Sequence, residues 1–335
     1  MNPMPVSPPG PGARVAGTGR YVPERVLTNA EVAALAGVTE EWIVRRTGIR
    51  ERRVAAEDEG AAAMAERASR PALDAAGLAP GDLGLILVAT STPDHLTPPT
   101  ACELQAALGA PRAACFDIEA GFAGWIYALV TADALLRTGV AETALVVGVE
   151  KLSTVTDRTD PATAPLFGDG AGAVVLRAEE GDGLRVRATS WWADGRLADA
   201  LHRPAGGALR PFDARVLDER AHLLRMEGTR LFRAAVRTMA EQARQALDRA
   251  GVTVGELGLV VPHQANLRII EHLAEALGLD PARVHVNIDR CGNTGAATIP
   301  IALDEAVRAG RVDPHRPTLL VSFGAGATAG AVVLG

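Results

Sequence analysis

The chain has 335 residues, 48% of them hydrophobic and 22% charged, with a formal net charge of −6. That length suits two domains or one large duplicated unit at roughly 150 residues per domain, and the balance excludes a disordered chain, a collagen-like fibre and a coiled coil. The acidic surplus argues against nucleic acid as the main partner, because phosphate binding needs an excess of Lys and Arg.

Lys151 is the only lysine, a skew towards arginine from which no function follows. Cys102, Cys115 and Cys291 are too few and too scattered for a disulfide framework or a closed zinc site. No metal is expected, and thiol chemistry in a reducing compartment stays open.

Residues 1–12 are rich in Pro and Gly and lack the basic and apolar regions of a signal peptide, so they read as a flexible leader. Helical spacing then marks Asn29–Ala36 and Ala61–Ala76, followed by an apolar strand at Gly84–Ala89, a helix at Thr100–Leu108 and a strand at Ala113–Ile118. The pattern continues with a helix at Trp125–Thr138 and strands at Thr143–Val149 and Ala171–Leu176. Arg177–Arg185 is polar and irregular, the expected joint between halves. Gly195–Glu219, with its Pro and Gly, suits an exposed excursion or a loop over a pocket. A long helix at Thr229–Ala250, bracketed by Gly228 and Gly251, precedes a strand at Leu257–Val261, a helix at Leu267–Leu277 and a strand at Val284–Ile288. A helix at Ile299–Arg308 and strands at Thr318–Ser322 and Ala329–Leu334 close the chain. No apolar run reaches the roughly 20 residues of a membrane span, so a cytoplasmic protein without membrane partners is expected.

Two strings echo each other in order. LGLILV at Leu83–Val88 resembles LGLVV at Leu257–Val261, and GAVVL at Gly172–Leu176 recurs at Gly330–Leu334. An internal duplication is the economical reading, with α/β halves at residues 13–178 and 186–335.

Three segments carry candidate chemistry. Pro262-His263-Gln264-Ala265-Asn266 lies between a strand and a helix, where loop side chains project from a rigid frame. His263 there reads either as a general base or hydrogen-bond donor, or as a helix cap. Asp289-Arg290-Cys291-Gly292-Asn293-Thr294-Gly295 repeats that setting, and the Asn293 amide is a donor that can stabilise an oxyanion without titrating. Phe323-Gly324-Ala325-Gly326 is a glycine-rich turn able to expose backbone N–H groups, without the lysine of a phosphate-binding loop.

Together with Gly17-Thr18-Gly19-Arg20-Tyr21-Val22-Pro23, Trp42-Ile43-Val44-Arg45-Arg46-Thr47-Gly48-Ile49 and Gly168-Asp169-Gly170-Ala171-Gly172, these segments resemble the β-ketoacyl-acyl-carrier-protein synthase III family of the thiolase superfamily. The resemblance implies a five-layered αβαβα fold, a homodimer, and acyl transfer from coenzyme A to a cysteine, followed by Claisen condensation with malonyl-acyl-carrier protein. It implies no cofactor, the substrates being acyl-coenzyme A and acyl-carrier-protein thioesters. His263 and Asn293 match the family's decarboxylating pair, and the backbone N–H groups of Ala325 and of the nucleophile position match its oxyanion hole.

The nucleophile position is where the sequence departs. The family's small-Cys-small-Gly-aromatic segment reads Gly121-Phe122-Ala123-Gly124-Trp125 here. A phenyl ring forms no thioester, so the covalent route is expected to be closed. Cys102, Cys115 and Cys291 read as small buried hydrophobes and not as substitutes. Glu119 stands where the family has a small or neutral residue. Phe122 is equally compatible with an engineered trap and with natural divergence to a decarboxylase using His263 and Asn293, or to a non-catalytic partner subunit.

On the substrate side, Trp42 and Arg46 match positions that hold the adenine of coenzyme A. Arg268, just past Asn266, matches the carrier entrance, with Arg233 as a further basic group. A family arginine falls at Pro161, and an aromatic that projects from the partner subunit into the acyl pocket falls at Thr97, which suggests a roomier pocket.

Overall fold

The computed structural model describes residues 12–179 and 183–335; nearly all of the expected leader and part of the expected joint lie outside them. Strand β1 (Arg14–Tyr21) is followed by β2 (Arg25–Thr28), α1 (Asn29–Ala36), α2 (Glu40–Thr47), β3 (Glu51–Val54) and α3 (Ala61–Ala76). Next come β4 (Leu85–Ala89), α4 (Thr100–Leu108), β5 (Ala114–Ile118), α5 (Gly124–Arg137), β6 (Thr143–Lys151) and β7 (Asp169–Arg177). The second half runs through β8 (Val186–Ala193), β9 (Leu201–His202), α6 (Ala214–Asp218), β10 (Arg225–Met226), α7 (Gly228–Ala250), β11 (Leu259–Pro262) and α8 (Leu267–Leu277). It ends with α9 (Ile288–Cys291), α10 (Thr298–Arg308), β12 (Thr318–Gly324) and β13 (Thr328–Leu334).

Two sheets organise these elements, in the orders β1-β7-β6-β4-β5 and β11-β12-β13-β8. In the first, β4 runs parallel to β6 and β7 antiparallel to β6; in the second, β11 runs parallel to β12 and β13 antiparallel to β12. The echoed strings therefore occupy equivalent strands, β4 with β11 and β7 with β13. Strand β4, LILVA, is buried along its whole length, as a strand covered on both faces must be.

Helices α5 and α10 fill the space between the sheets. Trp125, Ile126 and Leu129 of the former and Ile299 and Leu303 of the latter pack with Val146 and Val174 on one side and Leu320 and Val332 on the other. Helices α3 and α4 cover the outer face of the first sheet through Met64, Ala68 and Leu104. Helices α7 and α8 cover the second through Met239, Ala243, Ile270 and Leu273. The result is the five-layered αβαβα arrangement.

Local signals explain the boundaries. Helix α1 starts at a reciprocal Thr28–Glu31 capping box and stops at Gly37, whose φ of 67° is left-handed. Helix α7 ends in the same way at Gly251, but Gly228 falls inside its first turn instead of before it.

The expected strand at Val284–Ile288 does not form. Val284 keeps a single parallel bridge to Val260 at the free edge of β11. Beyond it the Gln264 side chain accepts from the amides of Asn287 and Ile288, at 3.0 and 3.2 Å, and donates to the His285 carbonyl. Those bonds take the backbone groups that a fifth strand would need.

The excursion at Gly195–Glu219 folds back on itself around Ala205, Val216 and Ala221. At the end of β6, the Lys151 ammonium donates to the carbonyls of Ala56 and Glu57, at 2.7 and 3.1 Å. No helix among the described residues is long and apolar enough to cross a membrane.

Candidate active site

The C-terminal ends of β5, β11 and β12 and the turn after α9 meet at one point, where Phe122, His263, Asn293 and Gly324 line a cavity of about 130 Å³. Apart from Asn266, the rest of its wall is apolar, including Leu166, Phe167, Leu201, Met226, Phe232 and Phe323. Their sequence context carried no functional signal, apart from Phe167 at the head of the Gly168-Asp169-Gly170 motif.

Phe122 sits in the tight passage from β5 to α5. Gly121, at φ 53°, makes the turn, and its amide donates to Glu119 Oε1 at 3.0 Å. The Phe122 side chain is 7% exposed. Its ring meets Phe167 edge-on at 5.9 Å and lies 5.8 Å from the His263 ring, tilted by 50°.

Gly324 is required at the end of β12 because a Cβ there would stand 2.4 Å from the Phe122 nitrogen and 2.6 Å from that of Ala123. A Cβ on Gly121 would likewise stand 2.6 Å from the Ala325 nitrogen. The backbones carrying the two candidate oxyanion-hole amides, Phe122 and Ala325, are therefore pressed together.

His263 leaves β11 with its amide donated to the Val321 carbonyl at 2.8 Å. The residue is 2% exposed, and burial pushes its imidazole pKa down to about 3, so the ring is neutral. Nδ1 lies 2.6 Å from Thr298 Oγ1, a partner the sequence reading missed. Asn293 is clamped through its backbone, its amide donating to Leu166 and its carbonyl accepting from Gly168. Its Oδ1 accepts from the Gly295 amide at 2.9 Å, which turns Nδ2 away as the free donor end.

Glu150 was also missed. It is fully buried beneath Gly295 and accepts from Ser91, Thr92 and Ala296. Burial raises its carboxyl to about 7.

A wider mouth of about 480 Å³ adjoins the cavity and shares Leu166, Met226, Phe232 and Asn266 with it. Trp42, Arg46, Pro161, Arg233 and Arg268 line it. The Arg46 guanidinium lies over the Trp42 ring at 5.4 Å and that of Arg268 over Phe232 at 5.7 Å. Asn266 joins the two sides, its Nδ2 donating to the Arg46 carbonyl and its Oδ1 accepting from the Arg268 amide.

Thr97 is not brought to this place. It is exposed on the loop before α4, beside Leu96, which is 85% exposed, and it lines neither cavity nor mouth.

The cysteines correct one expectation. Cys102 and Cys115 are only half-buried, with their sulfurs 3.4 Å apart. Burial and the Cys102 neighbour push the Cys115 thiol up to about 11. Cys291 is buried as expected, and burial pushes its thiol up to about 12. None of the three lines the cavity around Phe122.

Known proteins resemble this chain in sequence and in fold. The family described as 3-oxoacyl-acyl-carrier-protein synthase III matches residues 116–195, and the C-terminal part of the same family matches residues 247–335. The chain is 43% identical to a β-ketoacyl-acyl-carrier-protein synthase III of Desulfitobacterium hafniense over 96% of each protein. It is 46% identical to one of Symbiobacterium thermophilum over 96% of this chain and 97% of that protein. The crystal structure of the 3-oxoacyl-acyl-carrier-protein synthase III of Aquifex aeolicus superposes with a TM-score of 0.89 at 44% identity, covering 96% of this chain and 99% of that one. The priming β-ketosynthase of the R1128 polyketide pathway superposes with a TM-score of 0.89 at 39% identity, covering 99% and 98%. The chain therefore belongs to the 3-oxoacyl-acyl-carrier-protein synthase III family, acyltransferases of thiolase-like fold.

Proposed function

We propose that this chain binds acyl-coenzyme A or acyl-carrier-protein thioesters at the Phe122–His263–Asn293 cavity, with Phe122 replacing the family's nucleophilic cysteine. One observation carries the reading: a polar pair, His263 and Asn293, faces an apolar cavity at the end of a mouth lined by Trp42, Arg46 and Arg268. An acyl chain fits the apolar wall, a thioester carbonyl fits the Asn293 amide and the Phe122 and Ala325 N–H groups, and an adenine fits the Trp42 face. Arg268 and Arg233 supply positive charge for an acidic carrier protein. The phenyl ring of Phe122 closes the route through a covalent acyl-enzyme.

A homodimer accompanies this reading. Strand β5 is an edge of its sheet with Ala114 and Phe116 exposed, and its free backbone groups suit pairing with a second copy. Thr97, on the neighbouring loop, would then reach substrate only from the partner's side. We also propose residues 13–178 and 186–335 as the duplicated halves.

The deciding experiment is intact-mass analysis of the native chain and Phe122→Cys after incubation with short, branched and long acyl-coenzyme A. The variant gains one acyl group and the native chain gains none. A folded variant that takes no acyl group from any thioester refutes the reading.

A second reading, decarboxylation of malonyl-type thioesters, is favoured by the retention of His263 and Asn293 on the cavity wall opposite a non-nucleophilic Phe122. Carbon dioxide release that is lost in His263→Ala supports it, and release unchanged in that variant refutes it.

A further inference from the structure

We propose that Cys102 and Cys115 form an oxidative modification site, at which a hydroperoxide joins the two facing thiols in an intrachain disulfide that staples α4 to the edge strand β5. Neither cysteine lines the Phe122 cavity, so the inference goes beyond the thioester reading and does not depend on it.

The chain has three cysteines in 335 residues, and two of them touch. Cys102 lies in the first turn of α4 and Cys115 is the second residue of β5, thirteen positions further on. Helix and strand are clamped on both sides of the pair. The Thr100 and Ala101 amides donate to the Asp117 carboxylate at 2.7 and 2.8 Å, and Gln105 Nε2 donates to the Ala113 carbonyl at 3.1 Å. The sulfurs between these clamps stand 3.4 Å apart, and a disulfide of about 2.05 Å needs them about 1.4 Å closer. Rotation about the two Cα–Cβ bonds supplies that movement while the backbone bonds hold.

Both cysteines are half-buried, which leaves the pair within reach of a small oxidant. Side chains alternate along β5, so Cys115 faces α4 while Ala114 and Phe116 are exposed on the other face. Pairing of the β5 edge with a second copy therefore leaves the cysteines turned towards α4. Burial, and after it the Cys102 neighbour, pushes the Cys115 thiol up to about 11. Cys115 thus keeps its proton, and the first attack falls to Cys102. The Cys102 sulfur takes one oxygen of hydrogen peroxide, the O–O bond breaks, water leaves and a sulfenic acid remains. The Cys115 sulfur then attacks that sulfur, and the S–O bond breaks as the hydroxyl leaves with the Cys115 proton as a second water. Two thiols and one peroxide give one disulfide and two waters, the peroxide being reduced by two electrons.

The test treats the reduced native chain with hydrogen peroxide, then unfolds it and alkylates it with iodoacetamide. The oxidised chain should take one alkyl group, on Cys291, where the reduced chain takes three. Peptide mapping should recover Cys102 linked to Cys115 with a mass about 2 Da below the sum of the free peptides, restored by dithiothreitol. Dimedone should label Cys102 in Cys115→Ser and leave Cys115 unlabelled in Cys102→Ser. Three alkyl groups after peroxide, a link to Cys291 or a covalent dimer overturns the site, and dimedone on Cys115 overturns the order of attack. The native chain alone decides the site if either serine variant fails to fold. Failure of Phe122→Cys to take up an acyl group refutes the thioester reading and leaves this result standing.

Discussion

Phe122→Cys tests the centre of the functional argument. The native ring is 7% exposed and packs on Phe167 at 5.9 Å and on His263 at 5.8 Å. Deleting a buried phenyl down to alanine costs about 3–5 kcal/mol; cysteine keeps one heavy atom at the γ position, so a loss of about 2–4 kcal/mol is expected, visible in urea denaturation. Against that loss the variant gains a thiol immediately before α5, where the helix N-terminus favours thiolate. It also gains a neighbour, because the buried, neutral His263 ring stands beside the introduced thiol and can exchange a hydrogen bond with it. The site enlarges from about 130 Å³ by the space of the lost ring, which makes room for the acyl group. Intact mass should rise by one acyl group and return to its starting value with hydroxylamine, and the labelling rate should fall in the double variant with His263→Ala. A variant that is folded by circular dichroism yet unlabelled, or a native chain that labels equally well, refutes the reasoning.

Four further outcomes are expected. Burial raises the Glu150 carboxyl from its ordinary value of 4.5 to about 7 in the folded state, so the folded state holds the extra proton. Stability should fall as pH rises from about 4.5 through 7, by on the order of 3 kcal/mol; denaturation of Glu150→Gln should lose most of that slope, and an equal slope in both proteins contradicts the assignment. Asp304 is buried between Thr18, Arg20 and Arg308 at 2.7–2.8 Å. Asp304→Ala should cost about 2–3 kcal/mol in urea denaturation, and a loss under about 0.5 kcal/mol, as at an ordinary surface site, would show the cluster to be idle. Trp42→Ala should weaken coenzyme A binding roughly 5- to 100-fold by calorimetry, the value of one stacked base, and unchanged affinity would remove the adenine from that face. Phe116→Lys should convert a dimer to a monomer in light-scattering chromatography, and a variant that remains dimeric would move the interface away from β5.

Much of this fold is legible in the sequence because its punctuation is local. Asn29–Ala36, Ala61–Ala76, Thr100–Leu108 and Leu267–Leu277 form with the expected ends, each closed by a glycine in the left-handed region at Gly37, Gly77, Gly109 or Gly278. What escapes the sequence is set at a distance. Helix α2, which presents Trp42 and Arg46, buries only Ile43 and Thr47 and is too dense in charge to show an apolar stripe. Strands β1 and β8 lack a continuous apolar run and are fixed by pairing with β7 and β13. Val284–Ile288 looks like a strand until Gln264 claims its amides. The same division holds at the site: His263 and Asn293 stand in readable strand-to-helix turns, whereas Thr298 and Glu150 acquire their surroundings only when α10 and β6 pack beneath them.

The tethered amine of Lys151 has a practical corollary. Acyl thioesters react spontaneously with free amines, so each exposed lysine is a site of stray acylation. Here the only lysine side chain is held by two carbonyls and the surface cations are guanidinium groups, which such donors leave alone. A side-chain amide adduct therefore has one candidate atom, Lys151 Nζ, and a hydroxylamine-labile adduct on Phe122→Cys has to be told apart only from those on Cys102, Cys115 and Cys291.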